Sequence, residues 1–235
     1  MSNRKYEIRR LHDELAQQRA YWLAKGAFFH AEDLRYLKFL IPEGRRILEL
    51  GCGTGHLIAD LKPSFGVGVD FSEAMIAQAR KAHPDLTFLV GDIEDETFVH
   101  SLGGPFDVIL IVDTIGSLDD CQRTLEILHP LCTRETRLVI AYFSHLWYPI
   151  LKFAEAVGLR MPHPAQNVLA PPEVRALARL AGFEAVKTEQ RVLVPMRLFG
   201  LGRVMNRFVA PLPLINALSL RHYVVCRSLQ HVDDD

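Results

Sequence analysis

The sequence is sparing in features that would each have decided its class. Its four cysteines, Cys52, Cys121, Cys132 and Cys226, form no C-x-x-C pair, which excludes the usual zinc-ligand spacings and any disulfide framework. A reducing cytoplasm is the expected compartment. Opposite charges nearly cancel, with 27 Lys and Arg against 28 Asp and Glu for a net charge of −1. There is then no overall field to hold nucleic acid, which needs clustered basic contacts to phosphates, and no nucleic-acid partner is expected. No stretch of about 18 uncharged apolar residues occurs, the length that a spanning helix needs. Residues 1–10 are polar and basic, without the apolar core of a signal peptide. Neither an internal repeat nor a low-complexity tract is present. The sharpest absence is local. Residues 190–232 hold no Asp, Glu or Lys, yet they contain Arg191, Arg197, Arg203, Arg207, Arg221 and Arg227.

What is present suits one packed domain over residues 1–235, with 49% apolar and 23% charged residues. Apolar residues at helical spacing, such as Ile8, Leu11 and Leu15 and then Leu34, Leu37 and Leu40, predict two helices within residues 1–40, with Gly26 between them. Pro42 and Gly44 end the second helix before the short apolar run 46–50, which suits a buried parallel strand. Further strands are predicted at 66–70, 87–90, 106–113 and 137–143. They alternate with helices at 56–62, 72–81, 119–128 and 147–157, which implies a parallel sheet covered on both faces. A helix opening at Pro171 and ending at Gly182, and strands at 183–194 and 222–227, complete the chain.

The segment Glu49-Leu50-Gly51-Cys52-Gly53-Thr54-Gly55 sits where a strand turns into a helix, and glycines there let a ligand approach the backbone. Asp70, nineteen residues beyond Gly51, ends the next strand, where a carboxylate can accept hydrogen bonds from two ribose hydroxyls. Asp92 follows the third strand and can face an adenine edge. Each glycine alone would also fit a tight turn, but the strand, the loop, the helix and the spaced acids occur together. A nicotinamide dinucleotide loop would read G-x-G-x-x-G, and here His56 stands where its third glycine belongs.

The stretch resembles the first motif of class I S-adenosylmethionine-dependent methyltransferases, E/D-x-G-x-G-x-G, over about residues 40–145. The resemblance implies a Rossmann-like, doubly wound α/β fold. Its sheet would be mostly parallel and seven-stranded with an antiparallel last strand, residues 41–145 would form the cofactor-binding core, and S-adenosyl-L-methionine would be the cofactor. It also implies that Glu49 and the backbone of Gly51, Cys52, Gly53 and Gly55 hold the methionine moiety. Asp70 would take the ribose, Asp92 would lie at the adenine side, and Phe71 or Ile93 would pack on the adenine, with Met75 also lining the site. The strand ending at Asp113 would close the pocket floor, and residues 180–183 match a helix-to-strand junction of the family. The activity implied is methyl transfer to a small-molecule acceptor. A cofactor-binding protein without chemistry and an NAD-dependent oxidoreductase are the alternatives.

Methyl transfer from a sulfonium is an in-line displacement, and correct positioning can supply about 7–11 kcal/mol of the barrier without a metal or a covalent intermediate. A general base adds roughly 10²–10⁴-fold where the acceptor must lose a proton. Ligands of open α/β sheets bind at the carboxyl ends of the strands. The candidates are therefore Asp113, which can also bond the cofactor's amino group or a turn, and Tyr142, Ser144 and His145. His145 is preferred as base because its ordinary pKa suits proton transfer near neutrality, although it or Ser144 can equally cap the helix that follows. His30 can line an entrance or belong to a helix cap, and His163 reads as a loop residue.

The last two strands are separated by 27 residues, 195–221, too apolar for disorder and long enough to suggest function. Arg197, Arg203 and Arg207 can share one side of a helix and leave Leu198, Leu201, Met205 and Phe208 for an apolar face. Such a segment is read as a membrane-surface element or a lid over an amphiphilic substrate, and alternatively as a helix packed on the domain. The corresponding expectation is a lipid-like or lipid-linked acceptor met at the cytoplasmic face of a membrane.

Overall fold

In the computed structural model, which describes residues 2–163 and 166–230, the chain begins with helices α1 (Asn3–Leu15), α2 (Arg19–Lys25) and α3 (Ala27–Leu40). Gly26 divides α2 from α3 as expected. The first predicted helix is also broken, by a 3-10 turn at Ala16–Gln18 whose Ala16 is fully buried. That turn lets α1 lie along a helix of the core while Arg19 faces inward.

The core alternates strand and helix. It runs β1 (Arg46–Leu50), α4 (His56–Asp60), β2 (Phe65–Asp70), α5 (Glu73–Ala82), β3 (Thr87–Val90), α6 (Glu96–His100), β4 (Phe106–Val112), α7 (Cys121–Glu126) and β5 (Cys132–Phe143). After it come α8 (Tyr148–Ala156), α9 (Pro171–Leu180), β6 (Phe183–Arg191), α10 (Leu201–Val204), α11 (Pro213–Asn216) and β7 (Arg221–Ser228). The strand order is β3-β2-β1-β4-β5-β7-β6, with β7 antiparallel to both neighbours and the other pairings parallel. The expected seven-stranded, mostly parallel, Rossmann-like sheet is therefore present.

Alternate residues of each strand feed opposite faces. Leu48, Leu50, Ile109, Ile111, Leu138 and Ile140 pack with Leu125 of α7 and Val174 of α9. Ile47, Val108, Leu110, Val139 and Ala141 pack with Leu37 of α3, Ile58 of α4 and Ile76 of α5. β1 starts in the middle of the sheet; the chain first winds toward β3, then returns to lay β4 on β1's other side. That reversal leaves a crevice at the strand carboxyl ends, where ligands of such sheets bind.

Several element bounds differ from the sequence expectation. β5 starts at Cys132, five residues early. Its polar stretch is held by Thr136, whose hydroxyl donates to the Phe106 carbonyl at 2.6 Å and accepts from the Thr133 amide at 2.8 Å. β4 stops at Val112 because Asp113 adopts a φ of 58°, outside the extended region. α6 was not expected; Asp95 caps it, accepting from the Phe98 amide at 3.2 Å. Among the described residues no helix is long and apolar enough to cross a membrane.

Candidate active site

The loop after β1 is shaped by positive φ at Gly51, Gly53 and Gly55, at 81°, 53° and 76°. A Cβ at Gly51 would come within 2.1 Å of the Thr114 hydroxyl, so no side chain fits there. A Cβ at Gly53 would meet nothing within 4 Å; its outer side is open to ligand. The amides of Gly51 and Cys52 both donate to the Val69 carbonyl, at 2.8 and 2.9 Å. Asp70 accepts from the Gly53 amide at 2.9 Å and the Ser72 amide at 2.9 Å, so one buried carboxylate ties the glycine loop to the next strand and stands at the position expected for a ribose acceptor.

Glu49 is buried and accepts from the Ile58 amide at 3.1 Å. Burial pushes its carboxyl up to about 8, against the effect of that hydrogen bond and with reinforcement from Asp70. The Cys52 thiol is likewise held well above its ordinary range by burial, which makes it a wall rather than a nucleophile.

A cavity of about 450 Å³ opens from this loop. Glu49, Gly51, Cys52, Gly53, Asp70, Phe71, Met75, Asp92, Ile93 and Asp113, all expected in the site, line it together. Gly55 does not line it; a Cβ there would lie 2.5 Å from the Phe88 ring, so this glycine allows the loop to pack on β3. Asp92 has a further partner. The Lys5 ammonium on α1 donates to it at 2.7 Å and also pairs with Glu94 at 2.7 Å. His12 of α1 meets the Phe71 ring edge-on at 5.8 Å, and Ser72 donates to Asp13 at 2.5 Å. Helix α1 thus forms a roof over the end of the cavity marked by Phe71 and Asp92.

The other end is lined by Leu23, Ala27, His30, Ala31 and Leu34 from α2 and α3, by His56 and Leu57 from α4, and by Met161 and His163. Arg19 lies where these two ends meet. Its guanidinium is near Glu49, Asp70 and Asp113, burial works against its charge, and its nearest polar partner is Met161 Sδ at 3.4 Å. His56 bonds Thr54 Oγ1 at 3.1 Å and is pushed down to about 4, first by burial and then by Arg19. His163 bonds the Met161 carbonyl at 2.7 Å. His30 has no hydrogen-bond partner among the described residues, and burial, then Arg19, lowers its pKa. It presents a neutral imidazole to the cavity.

Two expected catalytic residues lie elsewhere. Tyr142 and His145 line a separate cavity of about 50 Å³, which shares Asp113 and His163 with the larger one. The crevice forms between β1 and β4, and β5 is one strand removed from it. Tyr142 stacks on His222 at 5.4 Å and belongs to the α7 and α9 side of the sheet. Its hydroxyl has no hydrogen-bond partner among the described residues, and burial raises its pKa. Ser144 is the cap of the following turn, accepting from the Leu146 amide at 3.3 Å, whereas His145 is not.

Asp113 is held in a buried network that the sequence did not reveal. The fully buried Arg221 donates to Asp113, and to both oxygens of Asp33 on α3 at 3.1 Å, while the Tyr223 hydroxyl also donates to Asp33. Burial works against the charge of Arg221, but Asp113 and Asp33 outweigh it and raise its pKa. Arg221 is therefore no part of a surface-basic segment; its position at the end of an acid-free tract concealed partners far away in sequence.

The doubly wound sheet with an antiparallel β7 and a glycine loop at its reversal has the fold of class I methyltransferases. Residues 41–181 match the methyltransferase domain family model, and the chain belongs to that family. It is 35% identical to a demethylmenaquinone methyltransferase of Beutenbergia cavernae over 43% of this chain and 42% of that protein. It is 30% identical to a 2-phytyl-1,4-naphtoquinone methyltransferase of Thermosynechococcus vestitus over 63% of this chain and 76% of that protein. The chain spans about two fifths of the length of the first of these relatives. A SAM-dependent methyltransferase of Thermotoga maritima shares the fold with a TM-score of 0.70 at 21% identity, covering 94% of this chain and 99% of that one.

Proposed function

We propose that this protein is an S-adenosylmethionine-dependent methyltransferase whose acceptor is a small lipid-like or lipid-linked molecule, such as a prenylated quinol, met at the inner face of a membrane. The observation that carries the reading is the continuity of the cavity. Glycine loop and Asp70 lead, past Arg19, into a chamber walled by Leu23, Ala27, Ala31, Leu34 and Leu57, with the imidazoles of His30, His56 and His163 among them. Such a chamber favours an apolar acceptor with few polar groups. Two relatives are named as methyltransferases of demethylmenaquinone and of 2-phytyl-1,4-naphtoquinone, which agrees with that chemistry. Contact of residues 195–221 with the bilayer belongs to the same reading, because such an acceptor partitions into membranes.

The bound cofactor supplies an electrophilic methyl group on a sulfonium. Around it, Glu49 and the open side of the glycine loop would line the amino-acid end, Asp70 would hold the ribose, and Phe71, Met75 and Ile93 would pack on the apolar faces of the base. Arg19 is placed to neutralise the cofactor's carboxylate. Asp113, fixed by Arg221, orients groups at the reacting end. His30, neutral and without a hydrogen-bond partner among the described residues, accepts a proton from an acceptor hydroxyl on its unprotonated nitrogen; Tyr142 and His145 act only through the wall they share with Asp113.

The test measures S-adenosylhomocysteine formation with a prenylated quinol in neutral detergent micelles and with its unprenylated, water-soluble head group. Product from the prenylated compound is expected, and His30→Gln should lower kcat by about 10²-fold or more while cofactor affinity holds. Turnover of soluble acceptors alone would sink the lipid-like reading. Absence of any product, with cofactor still bound, would leave a binding protein.

A further inference from the structure

Between β6 and β7 the chain builds a fixed element whose apolar side chains point away from the protein. Phe199 is fully exposed, and Leu201, Val204, Phe208 and Leu214 are between 50% and 91% exposed. The inward face consists instead of Gly202, Asn206 and Ala210, all buried. A helix lying on a soluble domain has the opposite arrangement.

The orientation is held by polar bonds. Asn206 clasps the backbone of Val194, donating to its carbonyl at 2.9 Å and accepting from its amide at 2.8 Å. Asn216 donates to the carbonyls of Gln190 and Ala210 at 2.8 and 3.1 Å, and the Trp147 indole donates to the Leu218 carbonyl at 2.8 Å. A Cβ at Gly202 would lie 1.9 Å from the Met196 carbonyl oxygen, so only glycine permits the close approach that seats the element. At the apex, Leu198 and Phe199 have φ of 41° and 53° and Gly200 has 96°. Bulky residues avoid that region, and strain of this kind collects at functional positions. Here it holds Phe199 at the tip.

The charge around this apolar face has one sign. Arg197, Arg203 and Arg207 are exposed, and residues 190–230 contain no acid and no lysine. Arg203 comes only within 3.8 Å of Glu32 and keeps 70% of its side chain exposed. The remaining arginines of the tract are paired with acids of the protein, Arg191 with Glu189 and Arg227 with Glu184 at the surface and Arg221 with Asp33 and Asp113 inside. A contiguous apolar surface rimmed by arginine complements hydrocarbon beneath anionic headgroups.

We propose that residues 196–218 dock this protein on an anionic phospholipid bilayer, with Phe199, Leu201 and Leu214 below the headgroups and Arg197, Arg203 and Arg207 on the phosphates. The inference rests on the lipid-like acceptor reading and supplies its delivery surface: the docked element runs directly into Arg221, which fixes Asp113 in the cavity wall.

The experiment is co-sedimentation of the full chain with vesicles of phosphatidylcholine alone and of phosphatidylcholine with phosphatidylglycerol. Binding should require phosphatidylglycerol and weaken as salt is raised. Arg197→Glu with Arg207→Glu, and separately Phe199→Ser with Leu214→Ser, should each lower the partition coefficient by about tenfold or more, with thermal midpoint and adenosylmethionine affinity unchanged. Failure to sediment with anionic vesicles at low salt would overturn the proposal, as would unaltered binding by both variants. So would light scattering that shows a dimer dissolved by the Phe199→Ser, Leu214→Ser variant, since the surface would then belong to a second copy. Vesicle binding without turnover of a prenylated acceptor would remove the acceptor reading alone; turnover in micelles without vesicle binding would remove the docking alone.

Discussion

The loop after β1 and the segment between β6 and β7 are opposite ways of building a contact. In the first, backbone amides and carboxylates meet at hydrogen-bonding distance: Asp70 holds Gly53 and Ser72, Glu49 holds Ile58, and the space left over is enclosed. In the second, polar side chains such as Asn206 and Asn216 turn inward to anchor the backbone, and the apolar side chains are left outside. Directional bonds in a closed cavity can select one small molecule, whereas apolar area rimmed by charge recognises a surface without fine geometry. The difference also assigns the cost of mutation. Changes in the enclosed region leave buried groups unpaired, and changes in the displayed region leave the fold almost untouched.

That contrast can be broken in four places. Arg221→Met should destabilise the protein by about 3–5 kcal/mol in denaturant unfolding, because Asp33 and Asp113 lose their shared counter-charge. A loss below about 1 kcal/mol would place Arg221 with the surface arginines. The second effect is a pH dependence of the cofactor-free protein. Since Glu49 is raised from 4.5 to about 8, the folded state keeps a proton that the unfolded chain releases in that window. Its contribution is fully present below pH 4.5 and is lost as pH rises to about 8. Relative to Glu49→Gln, the wild type should lose roughly 5 kcal/mol across the window, and parallel stability curves would refute the buried neutral acid.

Asp70→Ala comes third. Two buried amides lose their acceptor, and calorimetric titration should show adenosylmethionine affinity reduced about 100-fold; an unchanged affinity would remove the pocket assignment. The smallest effect sharpens the comparison from the other side. Phe199→Ser should alter unfolding free energy by no more than about 0.5 kcal/mol, since the ring touches nothing that the fold needs, and a larger loss would mean that the tip packs on the domain.

The sheet and the glycine loop were legible because their signals are local. A strand of five residues, glycines forced to positive φ and an acid at the end of the next strand all lie within 25 residues of one another. The edges of elements were less legible where side chains reset them, as Thr136 does for β5 and Asp95 for α6. Tyr142 and His145 do end a strand beside the crevice, but the sequence does not say which strands flank the reversal point, and β5 is not one of them. His30 was legible only as one of two readings, an entrance or a helix cap, and Arg19 was hidden, because nothing local tells a helix that lines the cavity from a helix of the surface.

By itself the amino-acid sequence determined the strand–loop–helix unit, its acids and the doubly wound order, because backbone conformation and hydrophobic period act over a few residues. Only the tertiary structure decided which of six arginines is buried, which histidines line the chamber, and on which side of the 195–221 segment the apolar residues stand. Those choices depend on partners such as Asp33, which lies 188 residues from Arg221, and on the Asn206 clasp that turns the helical segment at α10 inside out.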